Sequence, residues 1–220
     1  MSCLILVPSQ LEMDRLLPQG AQPLDAALPA WQGEQCKWAL CGVGAAAATL
    51  ATTHFIRQFQ PSRVVLVGIA GAFAQSGLEP DQVVQAHKET FSDLGYHDEH
   101  TYYNLDQLKL AVLPSQPQAL GCSYPLSLLD PGEQAWSFIT NSLITNSEVT
   151  AGRLWHTYGA ALENMEGAAV AMACAFHRVT CHEVRAVSNR VGPRNPKLWR
   201  VKESLEALSL WLSKRTDLLN

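Results

Sequence analysis

The chain has 220 residues, 47% hydrophobic and 16% charged, a globular balance that excludes wholesale disorder. Sixteen Lys and Arg against 20 Asp and Glu leave a net charge of −4, with no basic block to grip nucleic-acid phosphates. The opening MSCLILVPSQLEMD has no basic stretch and only a short apolar run, so neither a secretory leader nor a membrane span is expected. The six cysteines, Cys3, Cys36, Cys41, Cys122, Cys174 and Cys181, form no Cys-x-x-Cys pair and read as buried thiols of a soluble, cytoplasmic protein.

In chain order, apolar runs at residues 3–7, 36–40, 64–67, 82–85, 137–140 and 184–188 predict strands. Three of them are nearly continuous, as suits strands covered on both faces. Between them, residues 45–59, 166–177 and 196–214 predict helices. The last carries Leu198, Val201, Leu205, Leu208 and Leu212 at three- and four-residue steps. This alternation predicts one α/β domain over residues 1–220, with a mixed, mostly parallel sheet between two helical layers. Residues 75–130, rich in Pro, Gly, His, Asp and Tyr, predict loops and short strands inserted in that domain, most irregular over 91–104.

Four segments could carry chemistry. Pro8-Ser9-Gln10-Leu11-Glu12 follows the first strand, so Glu12 falls at the carboxyl edge of the sheet, where open α/β folds place ligands. The same Glu also suits a helix start, where the dipole favours an anion. Gly68-Ile69-Ala70-Gly71 and Gly42-Val43-Gly44 permit tight turns with amides free to donate, and their spacing is not that of a dinucleotide fingerprint. Glu163-Asn164-Met165-Glu166-Gly167 leads into a helix of small residues; Glu166 there either accepts hydrogen bonds from sugar hydroxyls or caps the helix. Arg185-Ala186-Val187-Ser188-Asn189 ends the last strand in a polar tip before a Pro/Gly loop, and Asn is also an ordinary turn former.

Taken together and in this order, PSQLE, GVG, VGIAG, ENMEGAAVA, RAVSN and VGPRNPKLW resemble the nucleoside phosphorylase/nucleosidase superfamily over essentially the whole chain. The nearest branch is that of the futalosine hydrolases, siblings of the methylthioadenosine/S-adenosylhomocysteine nucleosidases. Residues 75–130 match only loosely. The resemblance implies a three-layer α/β/α fold with a purine nucleoside bound along the sheet edge. It implies that Glu12 activates water and that Glu166 grips the ribose hydroxyls, with Met165 packed under the sugar. Asn189 takes the place that faces the imidazole side of the purine. Ile69, Ala70 and Gly71 match the turn beside the ribose, Ile144 and Thr145 the segment along the base, and Trp199 an aromatic beside the 5′ substituent. Asn164, like Glu163, stands next to these without an assigned contact.

Two departures direct the expected chemistry. The phosphorylases' Gly-Asp-Pro loop is replaced by PSQLE, whose carboxylate repels phosphate and suits a water, so hydrolysis is expected. Adenine-releasing relatives carry Asp at position 189. An amide cannot hand over a proton, but its NH2 suits N7 and O6 of hypoxanthine, which leaves more readily than adenine. With these departures, the resemblance implies hydrolysis of futalosine to hypoxanthine and dehypoxanthine futalosine, in menaquinone biosynthesis. Arg194 and Lys197 are the cations expected near the substrate's 5′ carboxylate. No metal or organic cofactor is expected: His54 and His177 fall in helices, and His87, His97 and His100 scatter through the loop region in structural or solvent-facing roles. A small-molecule nucleoside is the expected partner, with neither nucleic acid nor membrane, and the resemblance favours a homo-oligomer, a dimer. The alternatives are an adenine-type nucleosidase, an inosine-type phosphorylase, and a non-catalytic nucleoside-binding protein.

Overall fold

Residues 3–7 are five apolar residues in a row, and the two-residue period of a strand sends them to opposite faces. Leu4 and Leu6 join a core with Ala48, Ala51 and Phe55, whereas Ile5 and Val7 join another with Leu205 and Leu208. A strand buried on both faces must be central with layers above and below it. The computed structural model describes residues 2–98, 101–114 and 120–215. Its first half runs β1 (Cys3–Val7), α1 (Gln10–Leu16), β2 (Gln22–Pro23), β3 (Ala30–Gln32), β4 (Cys36–Leu40), α2 (Ala45–Phe59), β5 (Arg63–Ala72) and β6 (Val83–Phe91). A hairpin of β7 (Gly95–His97) and β8 (Tyr102–Asn104) follows, then β9 (Ser123–Pro125), β10 (Ala135–Thr140), α3 (Glu148–Tyr158), β11 (Leu162–Asn164), α4 (Gly167–His177), β12 (Thr180–Arg190) and α5 (Val201–Ser213). Helices α2 and α4 cover one face of the sheet, and α1 and α5 cover the other.

The sheet order is β11-β10-β6-β12-β5-β1-β4-β3-β2, with β9 attached to β6. The central run β4-β1-β5-β12 is parallel, as expected, and β6 pairs antiparallel with β12. The sheet is not open throughout. β11 pairs with β10 on one side and antiparallel with β5 on the other, through Leu162–Ala72 and Glu163–Gly71, so that β5, β12, β6, β10 and β11 close into a ring. Register shifts at Val187/Asn189 and at Trp136/Ser137 mark the bulges that let long strands curl this far.

Several expectations change. The strand expected at 82–85 continues to Phe91, because Glu89 and Thr90, polar in sequence, are buried against other polar groups. His87 and His97 therefore lie in strands, both exposed, and not in loops; His100 lies outside the described residues. The helix expected at 196–214 is broken. Pro196–Leu198 form a 3₁₀ turn capped by Asn195, Trp199 is extended, and α5 starts only at Val201. Leu198 consequently leaves the apolar stripe and is 70% exposed. α3 was not expected, although Ser147 at its N-cap and Gly159 at its left-handed C-cap are ordinary helix punctuation. All six cysteines are buried and none is disulfide-bonded. Among the described residues no helix is long and apolar enough to cross a membrane.

Candidate active site

Glu12 belongs to the capping box that starts α1. Its Oε2 accepts from the Ser9 backbone N–H at 3.0 Å and from the Ser9 hydroxyl, while Ser9 Oγ accepts from the Glu12 N–H. The other oxygen, Oε1, accepts from the Ile69 N–H at 3.0 Å, tying α1 to β5. The same carboxylate thus caps α1 and stands at the carboxyl edge of the sheet. The carboxylate is only 5% exposed, and burial pushes its pKa up, against the pull of Ser9, the Ile69 amide and the Arg185 charge. Gly68 makes room for this: a Cβ there would stand 2.7 Å from both Glu12 Oε1 and an Arg185 nitrogen.

Glu166 lies across the same cavity, at the start of α4. Its Oε1 accepts from the Gly44 N–H at 3.0 Å and its Oε2 pairs with Arg185 Nη2 at 3.3 Å. Gly44 holds this amide in place with φ 88°, a conformation open to glycine. Arg185 is fully buried; its Nε also pairs with Glu183 Oε1 at 2.8 Å and its Nη1 reaches the Ile69 carbonyl. Asn164 Oδ1 accepts from the backbone N–H groups of Glu166 and Gly167 at 2.9 and 2.7 Å, and Asn164 Nδ2 donates to Glu89. Behind them sit Glu89 and Glu183, both buried, and burial is the main cause that raises the pKa of each. A Cβ on Gly167 would collide with both carboxyl groups.

The third wall is softer. At the β12 bulge the Ser188 hydroxyl donates to Asn189 Oδ1 at 2.8 Å, and Asn189 Nδ2 donates to the Arg190 carbonyl at 3.0 Å. Gly71 lies directly beneath this amide, for a Cβ there would come within 3.1 Å of Nδ2. Opposite, Glu163 accepts from the Thr145 N–H and hydroxyl and from Asn141 Nδ2, tying down the loop that carries Ile144. Burial raises the Glu163 pKa too, with these three donors opposing.

These pieces enclose one cavity of about 200 Å³ at the carboxyl ends of β1, β5 and β12. Of the expected residues, Glu12, Ile69, Ala70, Gly71, Ile144, Asn164, Met165, Glu166, Asn189 and Trp199 line it. Thr145 does not; it supports the loop and faces a neighbouring cavity of about 280 Å³ beside the β7–β8 hairpin. Arg194 lies outside as well, exposed, with its guanidinium 5.3 Å from the Trp199 ring centre, and Lys197 is exposed on the 3₁₀ turn. Glu163 and Asn164 border the cavity, but their polar atoms are engaged with protein partners. The sequence reading gave Arg185, Glu183 and Glu89 no role. A signal existed in β12: a Glu and an Arg two residues apart share one face where Val184, Ala186 and Val187 mark a buried strand. Among the described residues no group of three or more His, Cys, Asp or Glu is placed to hold a metal ion.

The Phosphorylase superfamily model matches residues 26–220. Among curated relatives, the futalosine hydrolase of Thermus thermophilus is 29% identical, covering 94% of this chain and 91% of that protein. The futalosine hydrolase of Acidothermus cellulolyticus is 30% identical, covering 77% of this chain and 70% of that protein. The solved structure of Helicobacter pylori futalosine hydrolase shares the fold, with a TM-score of 0.79 at 17% identity, over 99% of this chain and 97% of that one. With a superfamily model over residues 26–220 and a 30% identical futalosine hydrolase matched over 70% of its length, the chain belongs to the phosphorylase superfamily, among the futalosine hydrolases.

Proposed function

We propose that the protein, as one nucleosidase-like domain over residues 1–220, hydrolyses the N-glycosidic bond of futalosine, releasing hypoxanthine and dehypoxanthine futalosine in menaquinone biosynthesis. The observation that carries the site assignment is that Glu12, Glu166 and Asn189, distant in sequence, line one cavity at the sheet edge. Glu12 takes a proton from water as the water oxygen bonds to the anomeric carbon. The bond from that carbon to the purine nitrogen breaks, and its electron pair leaves with the base as an anion, which takes a proton from solvent to give hypoxanthine. Glu166 accepts hydrogen bonds from the 2′- and 3′-hydroxyls, and its charge stabilises the cationic sugar of the transition state. Asn189 donates to the departing hypoxanthine. Met165 and Ile69 to Gly71 flank the ribose, Ile144 the base, and Trp199 the 5′ substituent, with Arg194 at its outer end; Thr145 acts at one remove, through the Ile144 loop.

A raised pKa suits Glu12 to this task, because a more basic carboxylate takes a proton more readily. A carboxylate in place of the phosphorylases' loop disfavours phosphate as the nucleophile. We place the enzyme in the cytoplasm, which fits six buried thiols, and as a homodimer, which fits the exposed apolar Leu11 and Val43 at the cavity rim. Incubation with futalosine, with and without phosphate, followed by chromatography of the products, tests the reading. Free hypoxanthine at a phosphate-independent rate is expected; phosphate dependence, or release of base only from adenine nucleosides, overturns it.

A further inference from the structure

We infer that Ser188 is a positioning residue that decides which end of the Asn189 amide meets the purine, and thereby sets the preference for a 6-oxo over a 6-amino base. This rests on the proposal that Asn189 reads the base. The two ends of an amide have nearly the same shape and opposite hydrogen-bonding character, so half a turn about one bond exchanges a donor for an acceptor. A site that selects on this contrast must hold the amide one way round.

Three observations supply the hold. In a regular strand Ser188 and Asn189 point to opposite faces, yet both line the cavity. The register shift between Val187 and Asn189 against β5 explains this, since a bulge re-aims the side chains beside it. The Ser188 hydroxyl, 1% exposed, then donates to Asn189 Oδ1 at 2.8 Å and lies 3.3 Å from the Ala70 carbonyl. Finally, one Nδ2 hydrogen goes to the Arg190 carbonyl at 3.0 Å. The Ser188 hydroxyl engages Oδ1, the Arg190 carbonyl engages one Nδ2 hydrogen, and the remaining N–H, above Gly71, is the donor left for the base. An acceptor such as N7 or O6 meets it; a 6-amino group does not.

The test compares kcat/KM for futalosine and its 6-amino counterpart, with inosine and adenosine as a second pair differing only at position 6. Ser188→Ala keeps the shape but leaves Oδ1 without its donor, so the 6-oxo to 6-amino ratio should fall about three- to tenfold, the worth of one neutral hydrogen bond. Ser188→Thr, which keeps the hydroxyl, should restore most of the ratio. A Ser188→Ala enzyme slowed equally on both substrates, with its ratio intact, overturns the inference. Asn189→Ala separates the two levels. If it collapses the ratio while Ser188→Ala does not, only the role of Ser188 fails; if it leaves the ratio untouched, the base-reading role of Asn189 fails and takes Ser188 with it. Should Ser188→Ala not fold, Ser188→Cys, of similar volume and a weaker donor, is expected to lower the ratio in the same direction, and an unchanged ratio in that variant counts against the inference.

Discussion

Two walls of the cavity, one at Glu166 and one at Asn189, are built from different materials. On the Glu166 side, charges are buried behind strands and a helix start: Glu166, Arg185, Glu183, Glu89 and the capping amide of Asn164 fix one another. On the Asn189 side, the hold consists of hydrogen bonds from a bulge and from the tethered 141–146 loop, with an exposed Arg194 on the Trp199 ring at the rim. Buried ionic groups are costly to leave unpaired, so the first wall tolerates little change. Loop-borne hydrogen bonds cost far less to rearrange, so the second wall can be altered without dismantling the first. On the proposed roles, the reaction centre and the substrate preference are thereby mechanically separated.

Replacing Arg185 with Met attacks the rigid wall hardest. It strands Glu166 and Glu183 in the interior and should cost about 3–5 kcal/mol of stability in chemical denaturation, with activity lost. Glu12→Gln should leave the fold and nucleoside binding intact while kcat falls about 10²- to 10⁴-fold, measured by hypoxanthine release. The same residue sets a pH dependence. In the proposed mechanism the ionised carboxylate is the active form, and burial raises its pKa, so the acid limb of kcat/KM should lie above the ordinary glutamate range, the rate rising with pH through it. A limb at the usual value would mean that another group limits the rate.

Two milder changes sharpen the contrast on the second wall. Glu163→Gln weakens the tether on Thr145 and should raise KM by about tenfold with kcat nearly kept, as expected for loss of a charge-assisted hydrogen bond. An equal loss in kcat would show that the loop also aligns the reacting bond. Arg194→Ala removes an exposed cation–aromatic contact and should raise KM for futalosine only about two- to fivefold. It should not affect inosine, which lacks the 5′ carboxylate; the same change for both substrates would detach Arg194 from that group.

Much of the frame was legible because it follows from local pattern. Residues 3–7, 36–40 and 45–59 form their elements within the expected bounds, and the apolar centres of β5 and β12 were plain. What stayed hidden was polar. Residues 85–91, Gln-Ala-His-Lys-Glu-Thr-Phe, do not look like a buried strand until Glu89 is seen receiving Asn164 and Thr140. Thr145 and Arg194 stand near the cavity residues in sequence, yet one faces a second cavity and the other solvent, because side-chain direction depends on how a loop is anchored.

The sequence by itself determined the layered α/β plan and the kinds of group at the sheet edge, since hydrophobic period and glycine placement act over a few residues at a time. Only the tertiary structure decided the closing of the ring through β11, the sharing of Arg185 between Glu183 and Glu166, and the turning of Ser188 and Asn189 into one cavity. Each of these joins residues far apart in the chain or depends on a bulge in long-range register. Burial, which gives the charges their strength and Glu12 its altered basicity, exists only once those distant pieces have packed together.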